Sequence, residues 1–414
     1  MASFWGGIAM VIVVLISCIA LVGSFRAPEE AYHPPKADLD RLDVAPVTSG
    51  ELQSLSMAHS GFGLELFQKV TPDASTGNVF MSPLSVAMAM AMCARGASGA
   101  GLQELRATLR IDNVGDEGTV SRAYRQMLSI FGKADPAVTI TLANSAWARP
   151  GNTFKPDYLA ALEGYYHAEA HTLSGVGPLN AWVAEKTNGM IKSVVNDLPR
   201  VAFMLINVVY FKAAWQYKFD PKRTRQMDFN TPQGPPKKVH MMFMKRPDFL
   251  YHETKQWQMV KLPYGEGADY AAFVVLPKEG HSLQHVISAL TPEAFARPMK
   301  KEGTLWLPRL KMEYSTDLST VLQAMGIKAV FRGNGLSRVA DGPLQVDRVL
   351  HKAVVELDEE GTEAAAVTAV TLTRSLPIPG ESFFMKVDRP FVFVLRHNGL
   401  REQLFLGRIH DPQP

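Results

Sequence analysis

Cysteine is nearly absent from this chain: two in 414 residues, Cys18 and Cys93. Cys18 falls in an apolar N-terminal run. Cys93 falls in a Met/Ala-rich stretch that reads as buried helix. The two make no useful disulfide, so packing alone must hold the fold. Excess charge of one sign is equally scarce. The 43 Lys and Arg against 40 Asp and Glu leave +3, too little to imply nucleic acid. No cluster of basic residues stands out around 100–125, and Lys237-Lys238 is only a pair, so no strong polyanion site is expected. The chain lacks Gly-x-Ser-x-Gly, His-Glu-x-x-His, Gly-x-x-x-x-Gly-Lys-Ser/Thr and Cys-x-x-Cys. This removes the usual signatures of hydrolases, zinc proteases, nucleotide enzymes and thiol redox proteins. His240 and His252 are lone histidines on strands, and no metal or cofactor is implied. A catalytic site dispersed over distant positions escapes such a test and stands as a rival reading.

What is present begins with residues 4–25, Phe4 to Phe25, a run without a single charge. It is long enough to span a bilayer as one helix. Three readings compete: a retained anchor, a signal peptide cut near Val22-Gly23-Ser24, or a bacterial-type lipobox at Leu15-Ile16-Ser17-Cys18 with Cys18 as lipid acceptor. Each places the rest of the chain outside the cytoplasm, secreted or membrane-anchored. Residues 26–50, with Pro28, Pro34, Pro35 and Pro46, read as a tether. Residues 51–414 read as one domain, expected to be monomeric.

Within that domain the 3.6-residue pattern starts at Glu51, with Leu52, Leu55, Phe62, Leu64, Leu66 and Phe67. Asn78 to Met81 read as a short strand. Ser82-Pro83 then opens a small-residue helix, because Ser can cap and Pro fits the first turn. Strands are predicted over 138–149, 201–220, 239–244, 269–276, 304–312, 346–358, Phe391–Arg396 and Gln403–Ile409, and helices over 178–191 and 317–326. The 201–220 strand is apolar on both faces. Asn207 in its middle needs buried partners. Helices first and strands later argue for an α+β architecture on large, mainly antiparallel sheets.

One stretch near the end is unlike the rest: Glu359-Glu360-Gly361-Thr362-Glu363-Ala364-Ala365-Ala366-Val367-Thr368-Ala369-Val370-Thr371-Leu372-Thr373-Arg374-Ser375-Leu376-Pro377. Its middle suits a pleated surface yet carries no large anchor before Leu372. By itself it reads as an ordinary Ala/Val/Thr strand and loop, or as a strand any sheet could accept that ends in an exposed basic residue. With period two, one face carries Thr362, Ala364, Ala366, Thr368, Val370 and Leu372, all but the last small or β-branched. The other face carries Glu363, Ala365, Val367, Ala369, Thr371 and Thr373, which can face outward.

Its neighbourhood resembles the serpin family. The resemblance runs from about residue 55 nearly to the C-terminus. It rests on Asn78 to Ser85, on Trp182 to Ile191, and on Asn207, Tyr210, Phe211, Lys212 and Trp215. It continues through His351-Lys352-Ala353, Glu359 to Ala365, and Asp388-Arg389-Pro390-Phe391-Val392-Phe393. The resemblance implies a metastable fold of three sheets with about nine helices and an exposed reactive-centre loop. A serine protease would attack the loop and be trapped as an acyl complex while the loop inserts into the central sheet. It further implies a loop hinge at Gly361, Thr362, Glu363, Ala364, Ala365 and Ala366. A polar cluster of Ser82, Ser85, Asn207 and His351 would lie under the opening sheet, and Trp215, Arg309 and Glu359 would lie where insertion begins. The small hinge favours an inhibitor over a non-inhibitory carrier or chaperone.

Family spacing from Glu359 most often puts the cut after the seventeenth residue, Ser375. A loop one residue shorter gives Arg374-Ser375. The latter is preferred, because Arg suits trypsin-like pockets with a buried carboxylate. A cut after Thr373 or Ser375 would suit elastase- or subtilisin-like enzymes, or cysteine proteases, instead.

Overall fold

The computed structural model describes residues 39, 42–72, 77–133, 135–198, 201–333, 335–362 and 382–412. The apolar run 4–25, with Cys18, and loop residues Glu363, Ala364, Ala365, Ala366, Arg374 and Ser375 lie outside the described residues.

The chain opens with helix α1 (Ser49–Val70). Thr48 caps it: the Glu51 N–H donates to Thr48 Oγ1 (3.2 Å), while Thr48 N–H donates back to Glu51 Oε2 (2.6 Å). This reciprocal box satisfies two end donors at once. Strand β1 (Val79–Met81) leads to Ser82, which caps helix α2 (Pro83–Gly96) through the Ser85 N–H. Every residue of α2 except Arg95 is buried, as befits a helix that is apolar all round. Cys93 lies within it, and burial pushes its thiol up to about 12, so the thiol is inert.

Helices α3 (Gly99–Leu109) and α4 (Glu117–Phe131) follow, then strand β2 (Val138–Ala148), helix α5 (Pro156–Tyr166), strand β3 (Glu169–Thr172) and helix α6 (Val176–Lys186). Strands β4 (Phe203–Ala214), β5 (Arg225–Phe229), β6 (Lys237–Glu253), β7 (Trp257–Tyr264) and β8 (Tyr270–Pro277) come next. Helix α7 (Leu283–Ala289), strands β9 (Met299–Pro308) and β10 (Leu310–Asp317) and helix α8 (Ser319–Ala324) precede β11 (Arg348–Leu357) and the two-residue β12 (Gly361–Thr362). Strands β13 (Phe383–Lys386), β14 (Phe391–His397) and β15 (Glu402–Ile409) complete the chain.

The α+β expectation holds. The described strands form two hydrogen-bonded networks, one of nine strands in the order β1-β15-β14-β8-β7-β6-β9-β13, with β5 on β6, and one of six in the order β10-β11-β12-β4-β2-β3. The 17-residue β6 serves two parts of the larger network. Its register on β9 shifts between Arg246 and Phe249, and only beyond that shift does it pair with β7.

β4 is buried on both faces, as its composition predicts. Leu205, Val209, Phe211 and Ala213 join the main core with α2, whereas Met204, Ile206 and Val208 pack with Leu179, Trp182 and Val183 of α6. The predicted strand over 304–312 is in fact two. At Arg309 the backbone N–H turns to the His240 carbonyl (2.9 Å), and the chain leaves the larger sheet for the smaller. That crossover holds the Arg309 side chain at the end of the six-stranded sheet.

Candidate functional site

Two strands far apart in sequence, β4 and β11, run parallel in the middle of the smaller sheet. They are hydrogen-bonded directly from the Arg348–Met204 pair to the Val354–Tyr210 pair. Beyond Val354 they separate, and β12 fills the gap, antiparallel to both. Gly361 pairs with Ala214, and Thr362 pairs with Ala213 on one side and Leu357 on the other.

The turn that makes this possible is local. Asp358 Oδ1 accepts from the N–H groups of Glu360 (2.8 Å) and Gly361 (3.1 Å), and the Asp358 N–H donates to the Gly361 carbonyl (2.9 Å). A Cβ at Gly361 would stand 2.0 Å from the Ala213 carbonyl oxygen. No side chain fits there without moving the β4 backbone.

The residues expected where insertion begins come together at this turn. The Trp215 N–H donates to the Glu360 carbonyl (2.8 Å) and its Nε1–H to the Asp358 carbonyl (2.9 Å). Arg309 Nε donates to both Glu359 carboxylate oxygens, at 3.0 and 2.9 Å, and Thr224 Oγ1 donates to Oε1. Burial would raise the Glu359 carboxyl, but the hydrogen bonds from Arg309 and Thr224 outweigh it and hold the group below the usual range. Lys218 pairs with Glu360.

Thr362 is fully buried, and its Oγ1 lies 2.6 Å from the Tyr264 hydroxyl. Tyr264 in turn stacks on Trp215, with centroids 4.3 Å apart. Thr362 thus lies on the inward face assigned to it by the period-two pattern. Sequence reasoning did not single out Tyr264, Thr224, Lys218 or Asp358. Only Asp358 left a signal, in the Asp-x-x-Gly spacing of a tight turn.

Farther down the same two strands, Ser82, Ser85, Asn207 and His351 meet. The Ser82 N–H donates to His351 Nε2 (3.1 Å), and His351 Nδ1 faces Asn207 Oδ1 at 3.1 Å. Asn207 Nδ2 donates to the Ser85 carbonyl (2.9 Å) and to Asn144 Oδ1. Since Nε2 accepts, the ring proton belongs on Nδ1, where it donates to Asn207. Asn144 of β2 is the fifth member. It sits mid-strand, as Asn207 does, and the same buried-amide argument would have found it. Complete burial pulls the His351 ring down to about 3, so it is neutral at physiological pH.

The family model for "Serpin (serine protease inhibitor)" matches residues 57–412. The chain belongs to the serpin family. The leukocyte elastase inhibitor of Equus caballus is 31% identical over 389 residues, which cover 87% of this chain and all of that protein. An uncharacterised serpin-like protein of Thermococcus kodakarensis is 30% identical and covers 98% of this chain and 99% of its own length. Among solved structures, the thermophilic serpin tengpin in its native state superposes with a TM-score of 0.80 at 26% identity, over 92% of this chain and all of that one. Mouse protein Z-dependent protease inhibitor shares the fold, with a TM-score of 0.77 at 24% identity over 87% of this chain and 98% of that one. Members of this family act on target proteases through a reactive loop.

Two predictions follow from this geometry. Because His351 is neutral in the fold down to about pH 3 and protonates near 6.5 when unfolded, the unfolded chain binds the extra proton in between. Stability contributed here is full above about pH 6.5 and falls as pH drops, by about 2 kcal/mol at pH 5. Urea melts at pH 7.5 and 5.0 should show that slope, and His351→Gln should flatten it. Tyr264→Phe leaves the buried Thr362 hydroxyl without its partner, a cost of about 1–3 kcal/mol. Amide hydrogen exchange at Glu360–Thr362 should then quicken by about tenfold or more.

Proposed function

We propose that this serpin is a suicide-substrate inhibitor of serine proteases, cut at Arg374-Ser375 and therefore directed at trypsin-like enzymes. The observation that carries the reading is the strand pair β4–β11. It has an antiparallel guest, Gly361–Thr362, already seated between its ends, and the residues that follow in the sequence keep the small-sided alternation of a strand.

The chemistry follows from the seating. A guest strand must supply hydrogen bonds to both hosts and must put small side chains inward. Thr362 does so with its side chain fully buried. Ala364, Ala366, Thr368 and Val370 continue the same face of the sequence. Attack by the protease serine on the Arg374 carbonyl gives an acyl-enzyme and frees the amine of Ser375. The loop, no longer held at that end, then extends β12 while β4 and β11 part ahead of it. The Ser82–His351–Asn207–Asn144 cluster lies in the path, and its hydrogen bonds must be exchanged as the strands open. The acyl-bound protease is carried along and distorted before water can release it. Arg374 as the residue before the cut supports a pocket with a buried carboxylate. The apolar run 4–25 supports action outside the cytoplasm, tethered or released.

Incubating the full-length protein with trypsin near equimolar ratio should give a detergent-stable covalent complex, with a C-terminal peptide beginning at Ser375 by mass spectrometry. Clean cleavage at Arg374 with no complex, repeated for elastase and subtilisin at their own bonds, would instead favour a carrier or chaperone role. Thr362→Arg puts a charge into a fully buried slot where the Thr362 side chain meets the Tyr264 hydroxyl. Burying an unpaired charge costs several kcal/mol, enough to slow insertion by more than about a hundredfold. The variant should be cut by trypsin as a substrate and trap none of it. Trapping at the normal yield would sink the insertion mechanism.

A further inference from the structure

The outward face of β6, β9 and β13 carries a set of side chains that the inhibitory reading leaves unused. Lys386, Trp306 and Phe243 lie in one row across the three strands, and Phe384, Thr304 and Lys245 lie in the next. Partners in a ladder point to the same side of the sheet, so both rows face the same way. The residues alternating with them, Phe383, Met385, Leu305, Leu307, Met242 and Met244, are buried, which puts these rows outward.

Phe384 is 63% exposed and is the only aromatic among the described residues in the exposed class. Phe243 and Trp306 meet edge to face at 4.6 Å, and the Arg223 guanidinium lies over the Phe243 ring at 3.8 Å. Lys386 is paired with Asp388 (3.1 Å), and Lys245 loosely with Glu302 (3.9 Å). Arg223 and Arg225 have no carboxylate partner among the described residues. Exposed aromatics beside arginines are the composition of binding hot spots. Phe384, Trp306 and Phe243 beside these arginines make up such a face.

Chain length says what covers it. Phe383 follows Ser375 by eight residues, and a chain that long reaches no more than about 27 Å. A protease engaged at Arg374-Ser375 is therefore held within one such length of Phe383 and of this face.

We infer that this face is a docking surface for the target protease, and that it selects enzymes whose surface beside the cleft is acidic. The inference rests on the inhibitory reading above. The aromatic row supplies contact area, and the two unpaired arginines supply steering. Both act on the rate of association and not on loop insertion.

The test compares anionic and cationic trypsin, which share a preference for Arg but differ in surface charge. Rates of covalent complex formation are measured with the full-length protein at low and high salt. At low ionic strength the anionic enzyme should be trapped about tenfold faster, a preference that salt removes. Arg225→Glu with Lys245→Glu, both exposed positions, should abolish the preference, and Phe384→Ala should slow both enzymes by about fivefold. Melting temperature and the number of inhibitor molecules consumed per enzyme trapped should stay unchanged in both variants. Equal rates for the two trypsins, or rates indifferent to these substitutions, would overturn the docking surface while leaving the inhibitor intact. If the unaltered protein traps neither enzyme, the inhibitory reading fails and the docking surface falls with it.

Discussion

The parallel ladder between β4 and β11 is the constraint on which the rest depends. Along the Arg348–Met204 to Val354–Tyr210 stretch the backbone groups that each strand turns toward the other are satisfied there, and those on its far edge are satisfied by β2 or β10. Backbone groups in a core cannot be left unpaired, so the two strands part only where something else pairs with them. β12 is that something, two residues long. It exists because Asp358 closes a turn that returns the chain into the gap, and because Gly361 has no Cβ to strike Ala213. The sheet is thus closed over most of its length and primed at one end. The sequence supplies a continuation of the priming segment that is small-sided on the inward face.

The contacts that hold this end are polar. Glu359, Arg309 and Thr224 fix the carboxyl side of the turn. Trp215 ties the main chain on either side of Glu359, and Tyr264 holds the buried Thr362 hydroxyl. Arg309 reaches the turn because it is the residue at which the chain passes from one sheet to the other. Lower down, His351 bridges α2 and β4 through Ser82 and Asn207. A neutral imidazole with one donor and one acceptor nitrogen suits a place where the proposed insertion would separate the strands, since its bonds can be exchanged without stranding a charge. The proposed insertion and the observed seating therefore draw on the same few side chains.

The larger sheet has the complementary duty. It is anchored by the apolar strands β8, β14 and β15, and it presents its other end, β6, β9 and β13, to solvent with aromatic and cationic side chains. Strand β13 is the first described element after the loop, so loop and sheet face are joined by a short length of chain. In the proposed reading, specificity is shared between the residue before the cut and the surface beside it.

Much of this was legible in the residues. Continuous apolar runs such as 201–220 gave strands of the core, Ser82-Pro83 gave a helix start, and mid-strand Asn207 gave a buried polar tie. Helices α3, α4 and α5 were passed over, although Leu102, Leu105 and Leu109, or Val120, Tyr124, Met127 and Phe131, repeat at helical spacing. The strand over 304–312 was read as continuous, because nothing in Pro308-Arg309-Leu310 says which sheet each half will join. Local pattern determines which face of a strand is buried, since side-chain direction follows from backbone period alone. Which strands become neighbours is a long-range choice. That Asn144 would meet Asn207, that Tyr264 would meet Thr362, and that Gly361–Thr362 would lie between β4 and β11 was decided only by packing residues far apart in the chain around one core.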